Sequence, residues 1–424
     1  MDEVPGKTEE QQETSMTVVE KEEASEIVVG LDIGTAKVCC VVAELFSERV
    51  EILGIGIAPS RGVKKGNIVN IETAVLSVRQ AVQKAEEMSG YHLKGVEVYV
   101  GISGNHIKGF NSPGIVNMGG RKITEVHVKE VVNAAQAVKI PDNQEILHVL
   151  PIEFMVDDQT GLQSPVGMSG VRLVANVHIV TADRMRIHNL TVCCEKAGLR
   201  VADIVLESIA SSRAVLSSEE REYGVALLDI GAGTTDLAIF NEGTIRHTRE
   251  VPLGGHNLTN DLSVGLRTPM QDAERLKENY GAAISSGIKK NLFVEVPSVG
   301  NHQPRQITQT VLVEILEARI LEILEIANKD EFFSKQKAKL AGGMVLTGGT
   351  ALLPQLETLA GEIFDLQVRV GYPVGVAGKT ETLHNPRCTA AVGLVLWARE
   401  EKRKLAETPP SRWEAFLNFL RRFM

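Results

Sequence analysis

Two aspartates far apart in the chain, Asp32 and Asp229, stand in the same short pattern. From Ile27 to Glu44 the sequence reads IVVGLDIGTAKVCCVVAE, and from Tyr223 to Phe240 it reads YGVALLDIGAGTTDLAIF. In each copy an apolar, β-branched run is followed by Asp-Ile-Gly, a few small or hydroxyl residues and a second apolar run, which predicts strand, tight turn, strand. Gly34, Gly231 and Gly233 remove Cβ atoms where backbone must pass close to a ligand. Consecutive amides of Gly34, Thr35, Ala36 and Lys37, and of Gly231 to Thr235, can then face phosphate oxygens. Thr35, Thr234 and Thr235 add hydroxyl donors. Asp32 and Asp229 supply hard oxygens suited to Mg²⁺ through its retained waters, and the ion would bridge the two copies. A single Asp-x-Gly turn is also ordinary hairpin chemistry, so the repetition carries the argument.

A third glycine element, GMVLTGGTALL at Gly343–Leu353, follows an apolar run and precedes the helical pattern Leu352, Leu356, Leu359, Ala360. Gly348, Gly349 and Thr350 would bring a helix start close to a flat base or sugar; a plain strand-to-helix turn of an α/β fold would look the same. DAERLK at Asp272–Lys277 opens a helix on which Glu274 and Lys277 lie three apart on one face, within reach of one ribose and adenine, or of each other as a surface ion pair.

These groups need rigid strands to hold them and two lobes to bring them together. With 424 residues, 43% hydrophobic, the chain is long enough for more than one packed domain. No apolar run reaches the eighteen residues of a membrane span. Residues 1–26 are acidic, lack the basic flank and apolar core of an export signal, and read as a solvated lead-in. The five cysteines have neither metal-ligand nor disulfide-framework spacing and read as buried thiols. A net charge of −9 argues against general nucleic-acid binding.

The C-terminus is the exception to that charge. After the last expected helix, Thr389–Ala406, the Pro409-Pro410 pair ends helix. Ser411 and Glu414 then fit a capping box, and Trp413, Phe416, Leu417, Leu420 and Phe423 recur at helical spacing beside Arg412, Arg421 and Arg422. Such a helix suits an anionic membrane interface, although its apolar face could also dock on the protein's own body.

The two phosphate elements and the adenosine element, in this order, resemble the actin-like ATPase superfamily. Within it the strings GTAKV at Gly34, PSRG at Pro59, SGVR at Ser169, VEVPSVG at Val294 and LTGG at Leu346 resemble the bacterial FtsA cell-division family, from about Ile27 to the last residue. The resemblance implies an α/β, two-lobed actin-like ATPase fold with an FtsA-type subdomain inserted in the first lobe, here residues 94–172. The first-lobe core would comprise 27–93, 173–205 and 386–399; the second-lobe core 206–251 and 331–385, with a small subdomain at 252–330. Residues 400–410 would be a linker and 411–424 the membrane-targeting helix.

It also implies ATP and Mg²⁺ as cofactors with slow or undetectable hydrolysis. Glu207, in IVLESIASSRAVL, stands where related filaments carry a water-positioning acid or amide; a carboxylate on a helix surface is the alternative. Expected partners are the C-terminal peptide of FtsZ, received near Val296–Arg319 with Arg305 available to an acidic segment, further copies of the chain through the inserted subdomain, later division proteins, and anionic inner-membrane lipids. The implied location is the cytoplasmic face of the inner membrane at the division site. A PilM-like pilus scaffold, or a small-molecule kinase of the same fold, would share the cleft.

Overall fold

The computed structural model describes residues 25–288, 290–300, 303–379 and 382–407. The proposed membrane helix with Trp413, Phe416, Leu417, Leu420, Arg421, Arg422 and Phe423, and nearly all of the acidic lead-in, lie outside the described residues.

The first hairpin sets the first lobe. Strands Glu26–Ile33 and Lys37–Leu45 pair antiparallel, and Val50–Pro59 extends them. On the other side Glu97–Ile102 and then Arg200–Leu206 add in parallel, and the short Ala377–Gly378 closes the opposite edge of the six-stranded sheet. Both faces are covered, which is why these strands read as continuous apolar runs instead of alternating ones. Helices Ile71–Ser89 and Arg184–Ala197 cover one face and Thr389–Glu407 the other. The fit is close: a Cβ on Gly30 would stand 2.4 Å from the Ala391 carbonyl, and one on Gly56 1.8 Å from that of Ala81.

The second hairpin, Val225–Ile230 with Thr235–Asn241, is the centre of a five-stranded sheet. Thr244–Val251 flanks it on one side, and Met344–Thr347 then Val368–Val370 add in parallel on the other. A second core joins this sheet to helices Gly255–Gly265, Met270–Tyr280, Gln309–Asn328 and Leu356–Phe364 and to the small hairpin Phe293–Val296 with Arg305–Thr308. Between the lobes, helix Glu207–Val215 packs on Thr389–Glu407 and on the second hairpin.

The insertion is a separate four-stranded sheet, ordered Lys108–Asn117, Arg172–Asp183, Gln144–Val156, Gln159–Leu162, with its own small core. Helix Glu125–Gln136, with Thr124 at its N-cap, lies on it. Its limits differ from 94–172 at both ends. Glu97–Ile102 belongs to the first lobe, because Val98 and Val100 are fully buried beside Val29 and Leu31, and their backbone fills the otherwise open edge of the first strand. Residues from Leu173 on were expected to resume the first-lobe core, yet the strand Arg172–Asp183 pairs along nearly its whole length within the insertion. The chain returns to the first lobe only at helix Arg184–Ala197, where the Asp183 carboxylate caps the amides of Met185 and Arg186.

Candidate functional site

The turns of both hairpins open into one cleft of about 710 Å³ between the lobes. Gly34, Thr35, Ala36 and Lys37 line it from the first lobe; Gly231, Gly233, Thr234, Gly348, Gly349, Thr350, Glu274 and Lys277 line it from the second; Asp32, Asp229 and Glu207 stand at its floor. Thr235 does not reach it. Thr235 is fully buried, and its hydroxyl donates to the Leu253 carbonyl at 2.9 Å, which ties the hairpin to the turn before helix Gly255–Gly265. Strand alternation sends Thr234 and Thr235 to opposite faces.

The two turns touch. A Cβ on Gly233 would fall 2.4 Å from Thr35 Oγ1 and 2.9 Å from Lys65 Cα, so glycine is needed for the approach of the lobes. Thr35 Oγ1 in turn accepts the Gly66 amide at 3.1 Å. The Gly231 carbonyl is taken up by the Gly255 amide (2.9 Å) and the Thr350 hydroxyl (3.1 Å), and that of Ala232 by the His256 amide (2.7 Å). Gly348 takes the left-handed region, φ +83°, and a Cβ there would meet Asp229 Oδ1 at 2.3 Å.

The floor is crowded with carboxylates. Lys37 Nζ lies 2.5 Å from Asp32 Oδ2, and Ser211 Oγ donates to Asp229 Oδ2 at 2.7 Å. Burial alone would lower the Lys37 ammonium, but the charge of Asp32 outweighs it and the lysine is held protonated. Burial, with Asp32 nearby, pushes Asp229 up to about 6. Burial also raises Glu207 well above the carboxylate range, helped by the charges of Asp32, Asp236 and Asp229. Glu207 is the first residue of its helix, and Ile204–Leu206 before it finish a strand; the whole segment is therefore not helical as expected. Gly101 makes room for it, since a Cβ there would stand 2.9 Å from Glu207 Cγ.

Several groups here escaped the sequence reading. Asp236 lies directly opposite Asp229 on one neighbouring strand and Glu250 on the other, so three carboxylates form a row across the sheet. Burial drives the Asp236 carboxyl strongly upward and Glu250 up to about 7; the Gly104 amide of the first lobe reaches Glu250 at 3.4 Å. An acid inside the apolar run TTDLAIF was the available signal. Ser60, Gly66, Ser103, Glu278 and Arg387 also line the cleft and had no local signature.

At the other end Lys277 Nζ donates to Glu274 (2.8 Å), Thr259 Oγ1 (2.8 Å) and the Gly255 carbonyl (3.1 Å). Burial works to raise Glu274, but Lys277 wins and holds it below the usual carboxylate range. The pair is thus formed, and it faces the cleft. Met270, Leu352, Leu353 and Pro354 give this end an apolar wall. Glycine-lined turns, hydroxyls and a lysine at one end with an apolar pocket at the other suit a phosphorylated ligand with a flat apolar head. Carboxylates from both lobes at the phosphate end, one of them raised chiefly by burial, have the hard-donor chemistry of a divalent-cation site. Arg305 lies away from the cleft; its guanidinium donates to the Leu266 carbonyl, and the residue is otherwise exposed.

The family model described as cell division protein FtsA matches residues 226–393, and the one described as the SHS2 domain inserted in FtsA matches 104–181, within the inserted sheet and its flanks. The chain is 42% identical over 381 residues to cell division protein FtsA of Pseudomonas aeruginosa, covering 90% of this chain and 91% of that one. It is 38% identical to FtsA of Escherichia coli strain K12 (88% and 90% covered) and 38% to that of Bacillus subtilis (89% and 85%). Among solved structures, the PilM–PilN type IV pilus biogenesis complex superposes with TM-score 0.64 at 16% identity (88% and 98% covered). MreB5 of Spiroplasma citri bound to ADP does so with 0.55 at 14% (90% and 99%). These two likenesses show the actin-like fold.

Proposed function

Because the chain belongs to the FtsA family of cell division proteins, we propose that it is an ATP-binding adaptor that holds the FtsZ ring to the inner membrane. The observation that carries the nucleotide part is the convergence of both hairpin turns, Gly348–Thr350 and the Glu274–Lys277 pair on one cleft.

In this reading ATP lies with its phosphates between the two turns and its adenosine against Glu274, Lys277, Gly348 and Gly349. Asp32 and Asp229 would hold Mg²⁺, which would supply charge neutralisation for the phosphates. Lys37 meets the phosphate end, and Glu207 orients the attacking water. Burial raises Glu207 and so disfavours the ionised form that would take a proton from the water, which supports slow hydrolysis. The nucleotide then acts mainly as a clamp between lobes.

The inserted subdomain mediates self-assembly, the region Val296–Arg319 with Arg305 receives the acidic C-terminal peptide of FtsZ, and later division proteins join the assembled copies. The C-terminal segment with Trp413, Phe416, Leu417, Leu420, Arg421, Arg422 and Phe423 lies in the cytoplasmic face of the inner membrane at the division site. No described helix is long and apolar enough to cross a membrane. A single segment of this kind binds reversibly, and many on one assembly hold firmly.

The test is co-sedimentation with anionic liposomes and ATP, comparing the whole chain with one ending at Pro410. Loss of lipid binding on truncation, with ATP binding retained, is expected. Equal lipid binding by both chains, or none by either, would defeat the membrane part.

A further inference from the structure

Arg387 and Glu278 face one another across the mouth of the cleft. Arg387 sits in the short turn Pro386–Cys388 that leads into Thr389–Glu407, the helix covering the first-lobe sheet. Glu278 lies on Met270–Tyr280 in the second lobe, one residue beyond Lys277. Arg387 Nη2 donates to Glu278 Oε1 at 2.7 Å. Both residues line the cavity, and both side chains are about half exposed, 47% and 44%.

The arginine is held along its length. Its amide is capped by Asn385 Oδ1 at 2.9 Å, which fixes the turn. Its stem runs along the glycine element: a Cβ on Gly349 would stand 3.4 Å from Arg387 Cγ and 3.7 Å from Nε. The guanidinium therefore crosses from one lobe to the other at the nucleoside end, beside the apolar wall of Leu352, Leu353 and Pro354. A planar cation with one edge tied to a carboxylate keeps its face available for stacking on a flat aromatic ring, which an ammonium cannot do.

We propose that Arg387, tied to Glu278, roofs the nucleoside end of the cleft and is the positioning residue that sets how fast bound nucleotide leaves. The inference rests on the nucleotide reading above. Phosphate contacts deep between the hairpins determine whether nucleotide binds, and the Arg387–Glu278 strap determines how long the lobes stay closed over it. Because the pair is half exposed, its electrostatic contribution is modest and sensitive to salt.

The experiment is stopped-flow release of a fluorescent ribose-labelled ATP, with Mg²⁺, chased by excess unlabelled ATP, on the full chain. Arg387→Ala is expected to release it roughly 5- to 30-fold faster, losing both ion pair and ring contact. Glu278→Gln is expected to give about 2- to 5-fold, losing the ion pair alone, and Arg387→Lys to fall between them. Raising ionic strength should speed release from the parent more than from Glu278→Gln, a pattern that a purely structural role would not produce. Melting temperatures without nucleotide should match the parent in all three. Release from Arg387→Ala at the parent rate overturns the strap while leaving the cleft assignment intact. A parent chain that binds no labelled ATP overturns the nucleotide reading and the strap with it.

Discussion

Lys37 Nζ lies 2.5 Å from Asp32 Oδ2 with the two side chains only 20% and 8% exposed, so the first phosphate turn carries its own nearly buried ion pair. The two residues flank the turn on paired strands, and neither could be withdrawn from water without the other.

Lys37→Met should therefore destabilise the fold as well as weaken ATP binding. Leaving Asp32 uncompensated costs about 3–5 kcal/mol. The double variant Asp32→Asn with Lys37→Met should recover much of that stability but not the ATP affinity. Urea unfolding of the three chains, with ATP titrations beside it, tests the coupling; additive losses would argue against it.

Gly233→Ala and Gly348→Ala should each cost about 1–3 kcal/mol through overpacking, the second also because its backbone is left-handed. The first pushes the hairpin turns apart at Thr35 and the second displaces Asp229, so both should lower ATP affinity more than thermal stability. Gly90→Ala is a useful control, since its backbone is also left-handed (φ +80°) but no atom lies within 4 Å of the added Cβ.

Glu207→Gln should keep ATP binding and reduce phosphate release by about tenfold or more from its already low rate, because the amide can hold a water but cannot accept its proton. The same change should leave the nucleotide-free fold as stable or more so, since burial disfavours the charged carboxylate and an amide carries no charge to bury. Single-turnover phosphate release and thermal melting measure the two effects; unchanged release would remove Glu207 from the reaction.

The inserted subdomain is joined to the second lobe by a neutral histidine. His178 is fully buried, with Nδ1 2.6 Å from Asn111 Oδ1 and Nε2 2.9 Å from Thr248 Oγ1. Burial, with His247 and His148 adding, lowers it from 6.5 to about 3. Below pH 6.5 the unfolded chain binds a proton that the folded one refuses, so this contribution to stability is full above pH 6.5 and is lost as pH falls towards about 3. Between pH 7.5 and 5 the loss from this group is about 2 kcal/mol. His178→Gln should be less stable at pH 7.5 and lack that part of the pH dependence, which urea midpoints at the two pH values would reveal.

What was legible in the sequence is what is local. Each hairpin turn is a few residues whose glycines and hydroxyls can be read directly, and the apolar runs on either side name the strands. The insertion's limits were not legible, because Glu97–Ile102 is assigned by a parallel neighbour dozens of residues earlier, and Arg172–Asp183 by two strands that precede it. Thr235 and Asp236 show the same boundary on a smaller scale. Residue type favoured the threonine as a phosphate donor, but strand register turned it into the core and set the aspartate in the carboxylate row.

By itself, then, the chain's residue order determined which segments are strands, where they turn, and which turns have the chemistry to hold phosphate and cation, since backbone conformation and donor type are properties of short stretches. Only the tertiary structure decided that the two turns touch at Thr35 and Gly233, that burial raises the Glu207 carboxyl, and that Arg387 reaches Glu278. Those outcomes depend on distance through space and on exclusion of water, which arise when two lobes separated in sequence close against each other.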